Sequence, residues 1–453
     1  MPAPSLHFHD GTLVLKGWNE PSRPPGFTAD SRTGEWRAMA LDYRRLKTVL
    51  HKQGVSFHDQ APAYHDLNLL LKLDYELYPH QREGLDAWTE TGNLGSVVLP
   101  TGSGKSLVAL RAMALMKTHT LIVLPTLDLM HQWYSRVTDA FEIEVGILGG
   151  GYHEIRPVTV TTYDSAYRHM DRYGNRFGFL IFDEIHHLPA PSYAQIPELS
   201  LAPFRLGLTA TYKRQDARHL ALTRLIGPVV YEKRISDLKG EHLSDYEVNR
   251  LVIPLTPEEE KEYTDCHSTY KQYVSEKGVR FYGNRWSDFI RESAFNPEAR
   301  QALLARKRMR QILFGAGKKM EVLESIIKLH LNDRIIIFTQ DNDLVYRISA
   351  SFLIPAITHQ TDTKERKAFL DAFRSGVFRM LVTSKVLNEG VDIPAANIAV
   401  ILGGSANPVE HIQRLGRILR KKSGKRAVLY EIIAGGTQET NISYRRRSSD
   451  AYR

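Results

Sequence analysis

Short apolar runs alternate with longer amphipathic stretches in two separate parts of this chain, and that rhythm restricts the fold more than any other feature. In the first part the runs are Ser96–Leu99, Thr120–Leu124, Thr159–Thr161 and Phe179–Phe182. They are short, apolar and bounded by turn or polar residues, which reads as buried strands. The segments between them have helical length and one apolar face. Strand–helix alternation of this kind predicts a parallel sheet with helices packed on its faces. The same rhythm returns at Arg334–Phe338, Met380–Val382 and Ile398–Ile401. Two α/β lobes are predicted, and a length of 453 residues leaves room for further modules.

The rest of the chain departs from the rhythm. Residues 1–75 combine early prolines, an alternating stretch at Thr12–Leu15 and a helical pattern near 38–52, the pattern of a small α+β domain. Residues 256–320 are helical and charged, with Tyr263, Cys266, Tyr270 and Tyr273 near one helical face. They read as an insertion after a first segment, 241–255, of the second lobe. The predicted order is therefore an N-terminal domain (1–75), lobe 1 (76–240), the start of lobe 2 (241–255), a helical insertion (256–320), the body of lobe 2 (321–436) and a basic tail (437–453). A composition of 42% hydrophobic and 25% charged residues excludes whole-chain disorder and a collagen-like fibre. The single cysteine excludes an intramolecular disulfide, a Cys-rich zinc site and a four-cysteine cluster. No signal-peptide pattern opens the chain, and no run approaches the roughly 18 apolar residues of a membrane span. A soluble, cytoplasmic protein without a membrane partner is expected.

Three segments carry chemistry. Pro100-Thr101-Gly102-Ser103-Gly104-Lys105-Ser106 follows the first strand and opens the helix 107–116. Glycines there let backbone N–H groups converge on phosphate oxygens, and the helix N-terminus adds a favourable dipole. Lys105 would reach the β/γ-phosphates, and the Ser106 hydroxyl would hold Mg²⁺. Leu99 stands where the usual pattern has its first glycine. The superficially similar Gly315–Lys319 has no preceding strand and no hydroxyl after its lysine, and reads as a linker. Asp183-Glu184-Ile185-His186-His187 stands where a strand ends, at the crevice edge of a parallel sheet. Asp183 suits Mg²⁺ through water, and Glu184 suits orientation and deprotonation of an attacking water. In Gln413-Arg414-Leu415-Gly416-Arg417-Ile418-Leu419-Arg420, helical spacing lets Arg417 and Arg420 point together into a cleft, where they would stabilise γ-phosphate charge.

Taken in order, these segments resemble the superfamily-two helicases of the DExH type, and most closely the archaeal-type XPB helicases of nucleotide excision repair. The resemblance extends to Tyr78–Gln81, Leu124–Leu127, Thr161–Ser165, Leu208–Thr211, Ile335–Thr339 and Thr383–Asp392, and so to essentially the whole chain. It implies two RecA-like lobes, ATP with Mg²⁺ as cofactors, and single-stranded or forked DNA as partner. By resemblance Gln81 reads the adenine edge, Gly390 and Asp392 lie beside the nucleotide, and Gln413 joins the arginines. Thr209 and Thr211 couple ATP state to lobe closure, while Thr126, Thr162 and Thr383 touch nucleic-acid phosphates. The 256–320 insertion corresponds to a thumb-like element that grips DNA, with Arg306, Arg308 and Arg310 as contacts. Residues 1–75 correspond to a damage-recognition domain. A nuclease subunit is a further implied partner, and 3′→5′ the implied polarity.

The net charge of +9, from 60 Lys and Arg against 51 Asp and Glu, agrees with an anionic partner. It is concentrated: residues 300–319 and 411–430 each hold seven basic residues and no acid. Three other readings stay open at this level: an ATP-gated DNA-damage binding switch, a duplex translocase that unwinds little, and an RNA helicase, because backbone contacts do not choose the sugar. The translocase reading has a specific motive. The family's Arg-Glu-Asp triplet stands here as Arg214-Gln215-Asp216, without its central charge. If Arg214 and Asp216 contact DNA as part of a strand-separating element, Gln215→Glu raises unwinding of a fork per ATP hydrolysed. An unchanged strand-displacement rate removes the triplet from unwinding.

Overall fold

The structure, a computed structural model, describes residues 3–18, 22–72, 76–212, 216–238, 246–277, 285–384, 396–403 and 427–447. The described residues fall into two units, one running to Leu238 and the other beginning at Tyr246.

The first unit opens with strands β1 (Ser5–His9) and β2 (Thr12–Lys16), joined by Asp10-Gly11 with both residues at positive φ. That two-residue turn matches the twist of a hairpin and favours Asp-Gly. Strands β3 (Thr28–Asp30), β4 (Glu35–Met39) and β5 (His58–Asp59) complete a sheet in the order β3-β4-β2-β1-β5. Helix α1 (Tyr43–Lys52) covers it with Leu46 and Leu50. The α+β domain expected for 1–75 is therefore present.

Lobe 1 holds β6 (Leu94–Val98), β7 (Thr120–Leu124), β8 (Gly146–Gly149), β9 (Tyr152–His153), β10 (Val158–Thr162), β11 (Phe179–Asp183), β12 (Phe204–Thr209) and β13 (Val229–Glu232). The order is β13-β6-β12-β11-β7-β10-β8-β9, parallel throughout except for the β8–β9 hairpin. Helices α2 (Pro79–Glu90), α3 (Lys105–Met116) and α4 (Leu127–Phe141) cover one face through Trp88, Val108 and Trp133. Helix α5 (Tyr163–Tyr173) covers the other through Ala166 and Met170, with the short helices α6 (Gln195–Glu198), α7 (Leu222–Leu225) and α8 (Ile235–Leu238) nearby in sequence. Because both faces are covered, the strands can be apolar on both sides.

The boundary near residue 75 does not separate two independent bodies. Buried Arg205 of β12 donates to the Leu41 carbonyl at 3.0 Å and to the Leu225 carbonyl at 3.2 Å. Leu201 lies in the same apolar cluster as Leu6, Leu13 and Phe27. Asn175 and Ala61–Ala63 exchange further bonds, and Arg44 bonds the carbonyls of Gly92 and Pro203. Breaking this contact would leave buried polar groups unpaired, so the N-terminal domain is held against lobe 1.

The second unit has a six-stranded parallel sheet, β14-β19-β18-β15-β17-β16, from β14 (Tyr246–Ile253), β15 (Ile335–Thr339), β16 (Ala356–Ile357), β17 (Met380–Thr383), β18 (Ile398–Leu402) and β19 (Ala427–Ala434). Helices α9 (Pro257–Glu276), α10 (Arg285–Glu292) and α11 (Pro297–Gly315) follow β14. Helix α9 starts on a capping box: Thr256 accepts from the Glu259 N–H while Glu259 accepts from the Thr256 N–H, and Pro257 is at the first helical position. The apolar face read at Tyr263, Cys266 and Tyr270 packs on Met309, Ile312 and Leu313 of α11.

Helix α12 (Gly317–Leu329) is part of the lobe 2 core through Leu323, Ile326 and Ile327, as are the neighbours α13 (Asn342–Phe352) with Leu344 and Ile348. Helix α14 (Thr363–Ser375) leads to β17. Gly315–Lys319, read as a linker, is mostly helical: Gly315 ends α11, Gly317–Lys319 open α12, and Ala316 alone lies between them. Two further expectations need revision. Lys319, read as part of a basic run, is 1% exposed and sits 2.7 Å from Glu439 in a buried ion pair. The segment read as a basic tail contains helix α15 (Gln438–Arg447), anchored because Glu439 also accepts the Ala434 N–H and Ser443 donates to buried Glu431. Among the described residues no helix is long and apolar enough to cross a membrane. Removing the carboxylate that faces a buried ammonium costs about 3–5 kcal/mol. Glu439→Ala therefore lowers the urea midpoint of the unfolding step assigned to this lobe, and a double change to Lys319→Met and Glu439→Gln recovers most of it.

Candidate active site

Strand register builds the site. Val98 of β6 lies opposite Thr209 of β12, Leu208 opposite Asp183 of β11, Phe182 opposite Val123 of β7, and Leu124 opposite Thr162 of β10. The segments leaving these strands, namely loop 99–104, Thr209–Thr211, Asp183–Glu184, Thr126 and Thr162, therefore share one edge. It is the carboxyl edge, where parallel α/β sheets bind ligands.

Leu99 needs no glycine. It is fully buried, and its N–H bonds the Thr209 carbonyl at 3.0 Å, so the strand simply continues through it. The turn comes later, at Gly102 and Gly104, with φ of 88° and 83°. Gly104 is the cap of α3, and a Cβ there would lie 2.3 Å from Gln81 Nε2. Lys105 folds back so that Nζ donates to the carbonyls of Leu99 at 3.1 Å and Pro100 at 3.3 Å. The Ser103 hydroxyl donates to the Pro100 carbonyl, while the buried Thr101 hydroxyl has no partner among the described residues. An ammonium resting on carbonyls, an unpaired buried hydroxyl and an open helix N-terminus suit a polyphosphate. Gln81, the adenine candidate, is bonded to the loop and to the start of its own helix. Its Oε1 accepts the Tyr78 N–H and its Nε2 donates to the Ser103 carbonyl at 2.7 Å, which His80 also approaches at 3.0 Å. Both residues brace the loop.

Asp183 is held at both oxygens, Oδ2 accepting the Trp133 indole N–H at 2.9 Å and Oδ1 the Glu184 N–H at 3.0 Å. Burial, reinforced by neighbouring Glu184, pushes its carboxyl above the usual range, opposed by Lys105 and these N–H donors. Glu184 has φ 49° and ψ 54°, a left-handed conformation that is strained for a non-glycine residue and typical of functional sites. Its Oε2 lies 3.4 Å from His186 Nδ1 and 3.5 Å from the Thr209 hydroxyl. The Thr209 hydroxyl accepts the Thr211 N–H at 3.1 Å, and its one proton can go either to the Thr211 carbonyl at 2.9 Å or to the Glu184 carboxylate at 3.5 Å, so the two coupling candidates adjoin the general-base candidate. Ser106 and Asp183 supply the hard oxygen donors that Mg²⁺ prefers. Among the described residues no cluster of three or more His, Cys, Asp or Glu could hold a metal, so an ion here would draw on phosphate and water, as Mg²⁺ does.

The nucleic-acid candidates divide. Thr126 caps α4 by accepting the Leu129 N–H, and Thr162 caps α5 by accepting the Ser165 N–H. Two adjoining helix N-termini at one sheet edge favour phosphate. Thr383 is fully buried with its hydroxyl donated to the Ile357 carbonyl, so it faces inward. Arg308 pairs with Glu262 through two bonds, Arg306 lies 4.0 Å over the Trp286 ring and Arg310 5.4 Å from that of Phe314. Asp216 is exposed and accepts the Arg218 N–H. Arg214, Gly390, Asp392, Gln413, Arg417 and Arg420 lie outside the described residues. Trp133 escaped the sequence reading, because no local spacing marks a side chain whose partner is 50 residues away.

A phosphate-binding loop, a strand-end Asp-Glu-x-His and a Thr-x-Thr that starts on a buried Thr209, aligned on one parallel sheet with a second α/β lobe following, define an ATP-dependent helicase of superfamily two. Family models agree: Type III restriction enzyme, res subunit, matches residues 74–214, and Helicase conserved C-terminal domain matches 318–422. The Xeroderma pigmentosum group B helicase damage recognition domain matches residues 6–61. "DNA 3'-5' translocase XPB2" of Sulfurisphaera tokodaii is 39% identical over 93% of this chain and 96% of its own length. "DNA 3'-5' helicase XPB" of Mycobacterium tuberculosis is 31% identical over 89% of this chain and 69% of its own. The helicase domain of Pyrococcus furiosus Hef shares the fold, with a TM-score of 0.52 and 19% identity over 83% of this chain and 99% of that one. The chain belongs to the XPB family of DNA helicases.

Gly104→Ala tests the loop. A left-handed backbone costs an alanine about 1–2 kcal/mol, on the order of tenfold in binding, before the clash with Gln81 is added. A fluorescent ATP analogue should bind at least that much more weakly, with an unchanged circular dichroism spectrum.

Proposed function

We propose that this chain is an ATP-driven DNA helicase or translocase that opens DNA during repair. The observation that carries the reading is the shared carboxyl edge, where the nucleotide residues on β6, β12 and β11 adjoin two capped helix N-termini after β7 and β10. Thr101, Gly102 and Gly104 present backbone N–H groups to the phosphates, Ser103 releases its N–H from the Pro100 carbonyl to join them, and Lys105 exchanges its two carbonyl bonds for phosphate oxygens. Mg²⁺, held by Ser106 and Asp183, would neutralise charge on the β- and γ-phosphates. Glu184 orients the attacking water and accepts its proton, and Thr209, bonded to Glu184 and Thr211, senses the change. Gln413, Arg417 and Arg420 are assigned to γ-phosphate charge by family resemblance.

Thr126 and Thr162 with the first turns of α4 and α5 hold the polynucleotide backbone. Single-stranded or forked DNA, 3′→5′ polarity, a nuclease subunit as partner and a cytoplasmic setting complete the reading. They rest on the resemblance and on the relatives' names. The duplex translocase stays as a second reading because Gln215 lacks the charge of the family triplet.

Lys105→Ala and Glu184→Gln each abolish DNA-stimulated ATP hydrolysis, a loss of at least 10³-fold for groups of this kind. Phosphate release with single-stranded DNA, RNA or neither measures it. Equal stimulation by RNA would overturn the DNA assignment. Opening of a fork supports unwinding, whereas displacement of a triplex-forming strand without fork opening supports translocation alone.

A further inference from the structure

We propose that Trp133 is a positioning residue that couples DNA binding at the start of α4 to the Asp183 carboxylate. The inference rests on the reading of Thr126 as a DNA contact.

Trp133 is wholly buried in the lobe 1 core, where an aromatic ring alone would satisfy packing. A buried indole N–H also needs an acceptor. Here the acceptor is no backbone carbonyl but Oδ2 of Asp183, at 2.9 Å. A bond to an ionised carboxylate is roughly twice as strong as a neutral one and is directional. With the Glu184 N–H on Oδ1 at 3.0 Å, it sets the plane of the carboxylate. Neither bond partner comes from the phosphate loop, so the orientation of Asp183 depends on where α4 stands.

Helix α4 is suited to carry a displacement. It is 15 residues long and contains neither glycine nor proline. Trp133 stands six positions after Leu127, its first residue, which is about 9 Å along the axis at 1.5 Å per residue. The start of the helix is the Thr126 cap, where the Thr126 hydroxyl accepts the Leu129 N–H at 3.3 Å. When a phosphate draws on that first turn, a shift of the helix is passed to the indole as a rigid body. The Thr209 network reaches Glu184, so the two routes address different carboxylates.

The coupling is read from binding alone. Affinity for a fluorescent single-stranded oligonucleotide is measured by anisotropy with and without a non-hydrolysable ATP analogue and Mg²⁺, on the full chain. Affinity for a fluorescent nucleotide is measured with and without DNA, since linkage makes the two factors equal. Wild-type protein should show a factor of about 5–150. Trp133→Phe keeps a ring in the core and removes the N–H; the factor falls towards one while nucleotide-free DNA affinity is unchanged. Replacement of Trp133 by isosteric benzothienylalanine, which lacks only the N–H, gives the same result without a packing change. A wild-type factor in the benzothienylalanine protein overturns the proposal. Thr126→Ala separates the two levels. If it weakens nucleotide-free DNA binding while coupling survives loss of the indole N–H, the proposal alone falls. If it leaves DNA binding intact, the assignment of α4 to DNA falls as well.

Discussion

The register of five parallel strands in lobe 1 is the constraint on which the site depends. A slip of one residue in any of them would turn its side chains to the opposite face and move its terminal residue along the edge. Phe179–Phe182 are fully buried, so the β11 register is enforced by packing on both sides of the sheet. On β11 the polar residues come where this burial ends, Asp183 and Glu184 after Phe182, whereas β12 and β10 carry the buried Thr209 and Thr162 to the same edge. Parallel strands followed by helices also bring helix N-termini to that same edge, and with them a field that favours anions.

That edge is built under strain and desolvation. Glu184 occupies a left-handed conformation, the Asp183 carboxyl is held above its usual range by burial, and the Lys105 ammonium rests on two carbonyls of its own loop. Strain and desolvation of this kind gather at functional sites, where the surrounding packing holds them in place. His186 and Thr209 flank the Glu184 carboxylate at 3.4 and 3.5 Å, and Trp133 donates to that of Asp183 at 2.9 Å.

Charge has more than one use in the basic run 300–319. Arg308 stitches α11 to α9 through Glu262, Arg306 covers Trp286, and Lys319 is buried against Glu439. Part of what reads as an electrostatic surface therefore holds the second unit together. An exposed pair such as Arg308–Glu262 contributes little to stability, while the buried Lys319 pair strongly penalises loss of either partner.

Much was legible in the sequence because its causes are local. Apolar run length and helical period produced the two α/β lobes, and a glycine pair between strand and helix marked the loop 100–106. Asp183 and Glu184 could be read from their place at the end of an apolar run, since that position is set by neighbours in the chain. What depended on partners far away was not legible. That Gln81 braces the loop, that Thr383 faces inward and that Lys319 is buried against the helix that follows β19 are decided by groups 22 to 120 residues distant. The N-terminal domain is fixed to lobe 1 by the same kind of contact, 164 residues apart between Arg205 and Leu41. Sequence alone determined which chemical groups stand at the ends of which elements. Tertiary structure decided which of them face one another, because a buried hydrogen bond or ion pair is chosen by proximity in the packed core, and that proximity follows from strand register and not from spacing along the chain.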